Sequence, residues 1–151
     1  MYRLRLWAVK RASSLNRFYQ GFEKLLVTMH PLWQRIGYQR LEKTFATTEK
    51  LVKGALFDCQ MCGQCVLSST GMSCPMNCPK SLRNGPCGGV RSNGYCEVEP
   101  EMKCVWVAAW EGSQRLSDKS AIQLVQQPVD NRLKNKSSWL RVVQDKQATP
   151  Q

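Results

Sequence analysis

Cysteine is missing from the first 58 and the last 47 residues of this chain, histidine occurs once, and acidic side chains are half as numerous as basic ones. Each shortage excludes something. No apolar run approaches the roughly 20 residues of a membrane-spanning helix. The opening residues, Met1 to Lys10, are broken by charge every few positions and contain no apolar stretch of the secretory kind. No acid occurs in residues 1–22, a composition that also suits an organelle transit peptide; the helical pattern instead runs on through Glu23 and Lys24. The expectation is a cytoplasmic chain, in a reducing compartment where cysteines bind metal rather than pair as disulfides. The lone histidine, His30, stands before Pro31 at a helix end, where a surface or helix-terminal role is the ordinary one. Asp58, Glu97, Glu99 and Glu101 are not paired at a catalytic spacing, so no catalytic residue is assigned.

What the sequence does have is basic charge, placed unevenly. The net charge of +11 divides into +7 over residues 1–50, +1 over 51–104 and +3 over 105–151. A basic segment can meet nucleic acid, an anionic membrane or an acidic protein face. Nucleic acid is not the expected partner, because the cysteine region is nearly neutral and no aromatic–basic interleaving resembles a known nucleic-acid motif.

The expected fold class is α plus irregular: N-terminal amphipathic helices, a small loop-rich cysteine/metal-cluster domain and an extended C-terminal arm. Residues 1–57 read as helix. Leu15, Phe18, Tyr19, Phe22, Leu25 and Leu26 recur at three- and four-residue spacing. Leu4, Trp7 and Ala8 extend that stripe, which suits either a core or a face that docks a partner. Pro31 should end or restart the helix, Gly37 interrupts the pattern, and Thr47 or Thr48 could cap a last short helix. In 58–110, Gly and Pro come too often for long helices or strands. Residues 111–151 are polar and read as a tail or arm, with a small apolar island at Trp139, Leu140, Val142 and Val143.

All eight cysteines fall between Cys59 and Cys104: Cys59, Cys62, Cys65, Cys74, Cys78, Cys87, Cys96 and Cys104. Cys59-x2-Cys62-x2-Cys65 is the first half of a ferredoxin-type run, and Cys78-Pro79 carries the proline that often follows a cluster ligand. A tight loop with a thiolate every third residue covers three corners of a cubane, and a remote cysteine closes the fourth. That fourth could be Cys78, Cys104 or another. Gly63, Gly88 and Gly89 would let backbone N–H groups approach cluster sulfurs. Eight ligands make two four-cysteine sites. Two [4Fe–4S] clusters are the first expectation, one cluster plus one zinc the second, and two structural zincs the plainest alternative. A zinc-stabilised module that scaffolds a partner or binds nucleic acid is the alternative function. Trp106 and Trp110, one helical turn apart, would shield a cluster from water. Lys80, Arg83 and Arg91 could receive acidic groups of a partner or a folate tail, although solvated loop charges are the commoner case.

A particular set of residues carries a resemblance. Phe57-Asp58-Cys59-Gln-Met-Cys62-Gly-Gln-Cys65, Cys74-Pro-Met-Asn-Cys78-Pro-Lys80, Leu82-Arg-Asn-Gly-Pro-Cys87-Gly-Gly, Gly94-Tyr-Cys96-Glu-Val and Cys104-Val-Trp106 closely resemble the methylenetetrahydrofolate reductase C-terminal domain family, which includes MetV-type small iron–sulfur subunits. The likeness spans roughly 50–116 and every cysteine. It implies a small subunit that supplies metal centres beside the flavin (FMN or FAD) of a catalytic barrel subunit in folate one-carbon metabolism, with further electron-donor subunits as possible neighbours. The barrel enzyme's acid/base residues have no counterparts here.

Overall fold

The computed structural model describes residues 2–148, so Met1 and the last three residues of the 111–151 arm lie outside it. Among the described residues there are six α-helices and no strand. The helical, irregular-loop class expected from the sequence is what the chain adopts. The helices are α1 (Tyr2–Lys10), α2 (Ala12–Thr28), α3 (His30–Ile36), α4 (Tyr38–Phe57), α5 (Val105–Ser113) and α6 (Ser138–Ala148).

Of the two outcomes expected of Pro31, the chain takes the restart: α2 has already ended at Thr28 and Pro31 opens α3. It sits in the first turn of α3, where its missing N–H costs nothing. Gly37, at φ 92°, then turns the chain from α3 into α4. α4 is one uninterrupted helix of 20 residues, not a segment plus a short capped one. The reason lies in Thr47 and Thr48. Their hydroxyls donate back to Lys43 O and Thr44 O at 2.8 and 3.0 Å, so they are satisfied within the helix and no capping role is left for them.

α1 lies against α4 and α5, while α6 lies against α2 and α4. Two apolar centres result. One gathers Ala8, Ala12, Phe57, Leu67, Met72 and Leu116, and ties the helices to the first cysteine loop. The other gathers Leu26, Trp139 and Val143, with Phe22 edge-on to Trp139 at 5.0 Å. Within the sequence stripe, Phe22 therefore belongs to the core, whereas Phe18 is 75% exposed. Leu4, Trp7 and Leu25 are exposed with it.

Between α4 and α5 the chain is loops, one 3-10 turn at Pro75–Asn77 and two isolated β-bridges. After α5 it runs as a strap with 3-10 turns at Ser120–Gln123 and Asn131–Leu133. The apolar island of the polar C-terminal segment becomes α6, with Trp139, Leu140 and Val143 buried.

Candidate metal centre

α4 stops at Phe57 because Asp58 takes a left-handed conformation (φ 55°), its N–H returning to Gly54 O. Met61 and Gly63 are left-handed as well. Three such residues within six positions curl the chain tightly enough to bring its cysteines to one side. Cys59, Cys62, Cys65 and Cys74 line a common hollow of about 20 Å³ at the foot of α4. The remote cysteine that shares this hollow with the first three is Cys74.

The strap closes this loop from outside. Gly63 meets Leu133 so closely that a Cβ would lie 2.4 Å from Leu133 O. Asn135 N–H donates to Met61 O at 2.8 Å, and Asp130 N–H donates to Gln64 Oε1 at 2.8 Å. Arg83, buried, donates to Gln64 O and Gln127 O and so pins loop and strap together. Its role is internal, not reception of a partner's acid.

All eight cysteines are free thiols. Burial pushes the Cys59 thiol up to about 11, partly opposed by the Met61 N–H that donates to its sulfur at 3.4 Å, with the Cys65 charge adding to the rise. Burial pushes Cys74 up to about 12, and the Cys59 charge adds to it. Burial thus holds Cys59 and Cys74 back from ionising, and a cationic core beside them is what would let them ionise. The four soft sulfurs fit an iron–sulfur cluster or a thiolate-bound zinc. Among the described residues, no group of three or more Cys, His, Asp or Glu side chains is gathered tightly enough to hold a single metal ion. The quartet surrounds a hollow without converging on one point.

The remaining cysteines sit in the loops beyond. Cys96 pairs across a β-bridge with Val90, and Cys104 N–H donates to Gly94 O at 3.0 Å. Cys87 Sγ lies 4.0 Å from Glu97, whose carboxylate is ion-paired with Lys80. Cys78 opens the turn to Ser81. Lys80 thus has an internal partner, while Arg91 is exposed. Trp106 is buried with its indole N–H on Leu82 O at 3.1 Å, but Trp110 is exposed. His30 Nδ1 lies 2.6 Å from the Tyr38 hydroxyl, which places it at the α3–α4 corner.

Two residues of the site carry no mark in the sequence. Glu49 and Lys53 also line the hollow, and both are buried. At i, i+4 on a helix they read as a common solvated pair. Their burial follows from α6, which covers them through Ser137 and Ser138.

The family described as methylene-tetrahydrofolate reductase C terminal matches residues 38–132, from the first residue of α4 to the strap. No curated protein and no solved structure matches the chain.

Proposed function

Because the chain belongs to the methylene-tetrahydrofolate reductase C-terminal family, we propose that it is an accessory iron–sulfur subunit of a flavin-dependent methylenetetrahydrofolate reductase. It relays electrons to or from the flavin of a separate catalytic subunit. Family membership already ties the chain to that oxidoreductase of folate one-carbon chemistry. The observation that carries the finer reading is the set of four thiols around one hollow inside the matched segment. In this reading flavin and folate lie on the partner.

Cys59, Cys62, Cys65 and Cys74 would hold the first centre. Cys78, Cys87, Cys96 and Cys104 would hold the second, as a cluster or a zinc. When bound, an iron–sulfur centre supplies one-electron carriage. The chain's own part is to hold the sulfurs, donate the Met61 N–H to Cys59 and exclude water, with Cys74 buried and the strap laid over Gly63. Residues 1–57 serve partner docking, 58–110 the centres, and 111–151 the cover. No helix among the described residues is long and apolar enough to cross a membrane.

Anaerobic purification followed by iron, sulfide and zinc analysis tests the centres. Iron with matching sulfide is expected, and a colourless protein holding only zinc would sink the relay. In the reconstituted complex, Cys62→Ser should abolish donor-linked reduction of the partner's flavin. Unchanged reduction with the cluster gone would make the module structural.

A further inference from the structure

Glu49 and Lys53 are 2% and 3% exposed, a burial that few ion pairs show. Lys53 Nζ donates to Glu49 Oε1 and to Ser138 Oγ, each at 2.8 Å. The Tyr19 and Trp139 rings flank the ammonium, with centroids 5.9 and 5.3 Å away. Glu49 accepts from Ser137 Oγ at 2.8 Å, Ser138 Oγ at 2.5 Å and Trp139 N at 3.3 Å. Stability alone does not explain such a pair, because apolar replacements of buried ion pairs are often neutral or better. Its position does offer an explanation. Both residues line the hollow shared by Cys59, Cys62, Cys65 and Cys74. An ammonium has three N–H donors; Glu49 and Ser138 engage two of them.

We infer that Lys53 is the fixed counter-charge of the four-cysteine centre and that Glu49 tethers and partly offsets it, so that the pair sets how readily the centre accepts an electron. This rests on the proposed reading of the quartet as a redox cluster. An electron arriving there adds one negative charge, with no bond made or broken and no proton required. A buried ammonium favours that added charge and a buried carboxylate opposes it, because screening is weak in such a place. Net charge near a cluster and hydrogen bonds to its sulfurs are the levers that set its potential. Arg83 also lines the hollow, but three of its five N–H donors are engaged by Gln64, Gln127 and Met76, so its removal would loosen the strap as well.

The test uses the full chain, reconstituted anaerobically with iron and sulfide, as wild type, Lys53→Met, Lys53→Arg and Glu49→Gln. Circular dichroism and metal content report fold and loading. A redox titration with dithionite and mediators, followed by electron paramagnetic resonance, reports the midpoint. Lys53→Met should be about tenfold harder to reduce, which is about 59 mV lower for one electron. Lys53→Arg should stay near wild type. Glu49→Gln, which keeps hydrogen-bonding atoms for Ser137 and Ser138, should move the other way. A fully loaded Lys53→Met with an unchanged midpoint overturns the inference and leaves the proposed function standing. Shifts of the same sign in Lys53→Met and Glu49→Gln also overturn it, since general loosening would produce them. If Lys53→Met fails to load, the sign of the Glu49→Gln shift decides alone. A wild-type chain that takes zinc only overturns both readings, and metal analysis distinguishes that failure from the others.

Discussion

Gly71 and Gly112 meet backbone to backbone. A Cβ on Gly112 would sit 2.1 Å from Gly71 O, and one on Gly71 would sit 2.2 Å from Gly112 C. Gly71 is also left-handed, at φ 56°. This contact fastens the loop between Cys65 and Cys74 to α5, so two residues far apart in sequence help set the spacing of the thiols. Gly112→Ala should lower unfolding free energy by about 3 kcal/mol, since neither backbone can give way. Gly54→Ala, inside α4 with open space around its Cβ position, should instead raise it by roughly 1 kcal/mol. Urea denaturation of both variants would show the opposite signs, and equal effects would remove the argument for close approach.

α6 and the strap are held by unlike forces. The helix is held by buried apolar area and by the Glu49–Lys53 pair beneath it. Leu140→Ala should therefore lose about 2–5 kcal/mol. Glu49→Ala should lose about 3–5 kcal/mol, because it leaves a buried ammonium unpaired. The exposed Arg141–Asp145 pair on the same helix should matter by less than about 1 kcal/mol. Denaturation midpoints, with hydrogen exchange in 138–148, would check this order. The strap depends on polar contacts. Arg132 beside Asp130 holds that carboxyl down to about 2. A folded pKa below the unfolded one gives a contribution that is whole above the ordinary carboxylate range and is lost as pH falls towards about 2. Exchange in residues 126–136 should thus stay slow at pH 4 in the wild type and be faster in Asp130→Asn at neutral pH.

The whole molecule is a helical frame around a segment with almost no regular structure. Residues 58–104 carry few backbone ladders, so their order should depend on what the thiols bind. Removing metal from the loaded protein should lower its melting temperature and speed exchange in that segment first, with α2 and α4 responding last. Docking belongs to this scale too. Phe18 is exposed on α2, as are Leu25 on the same helix and Leu4 and Trp7 on α1, while Phe22 is packed on Trp139. Phe18→Glu should leave stability within about 0.5 kcal/mol and weaken association with the catalytic flavoprotein, measured by sedimentation. Phe22→Glu should unfold the chain's own core. If Phe18→Glu bound normally, the N-terminal docking role would fall.

By itself the sequence determined the helical lead-in, the loop-rich middle and the family, because spacing of apolar residues, turn residues and cysteines is local information. It also singled out Cys59, Cys62 and Cys65 as one group, since a tight loop cannot separate thiols three residues apart. Only the tertiary structure decided that Cys74 shares their hollow, that Phe22 is core and Phe18 surface, and that a Glu–Lys pair of ordinary spacing is buried at that hollow. The last two outcomes depend on α6 and the residue before it returning across α2 and α4 from more than 80 positions away, and no local pattern around Glu49 or Phe18 encodes which surface that return covers.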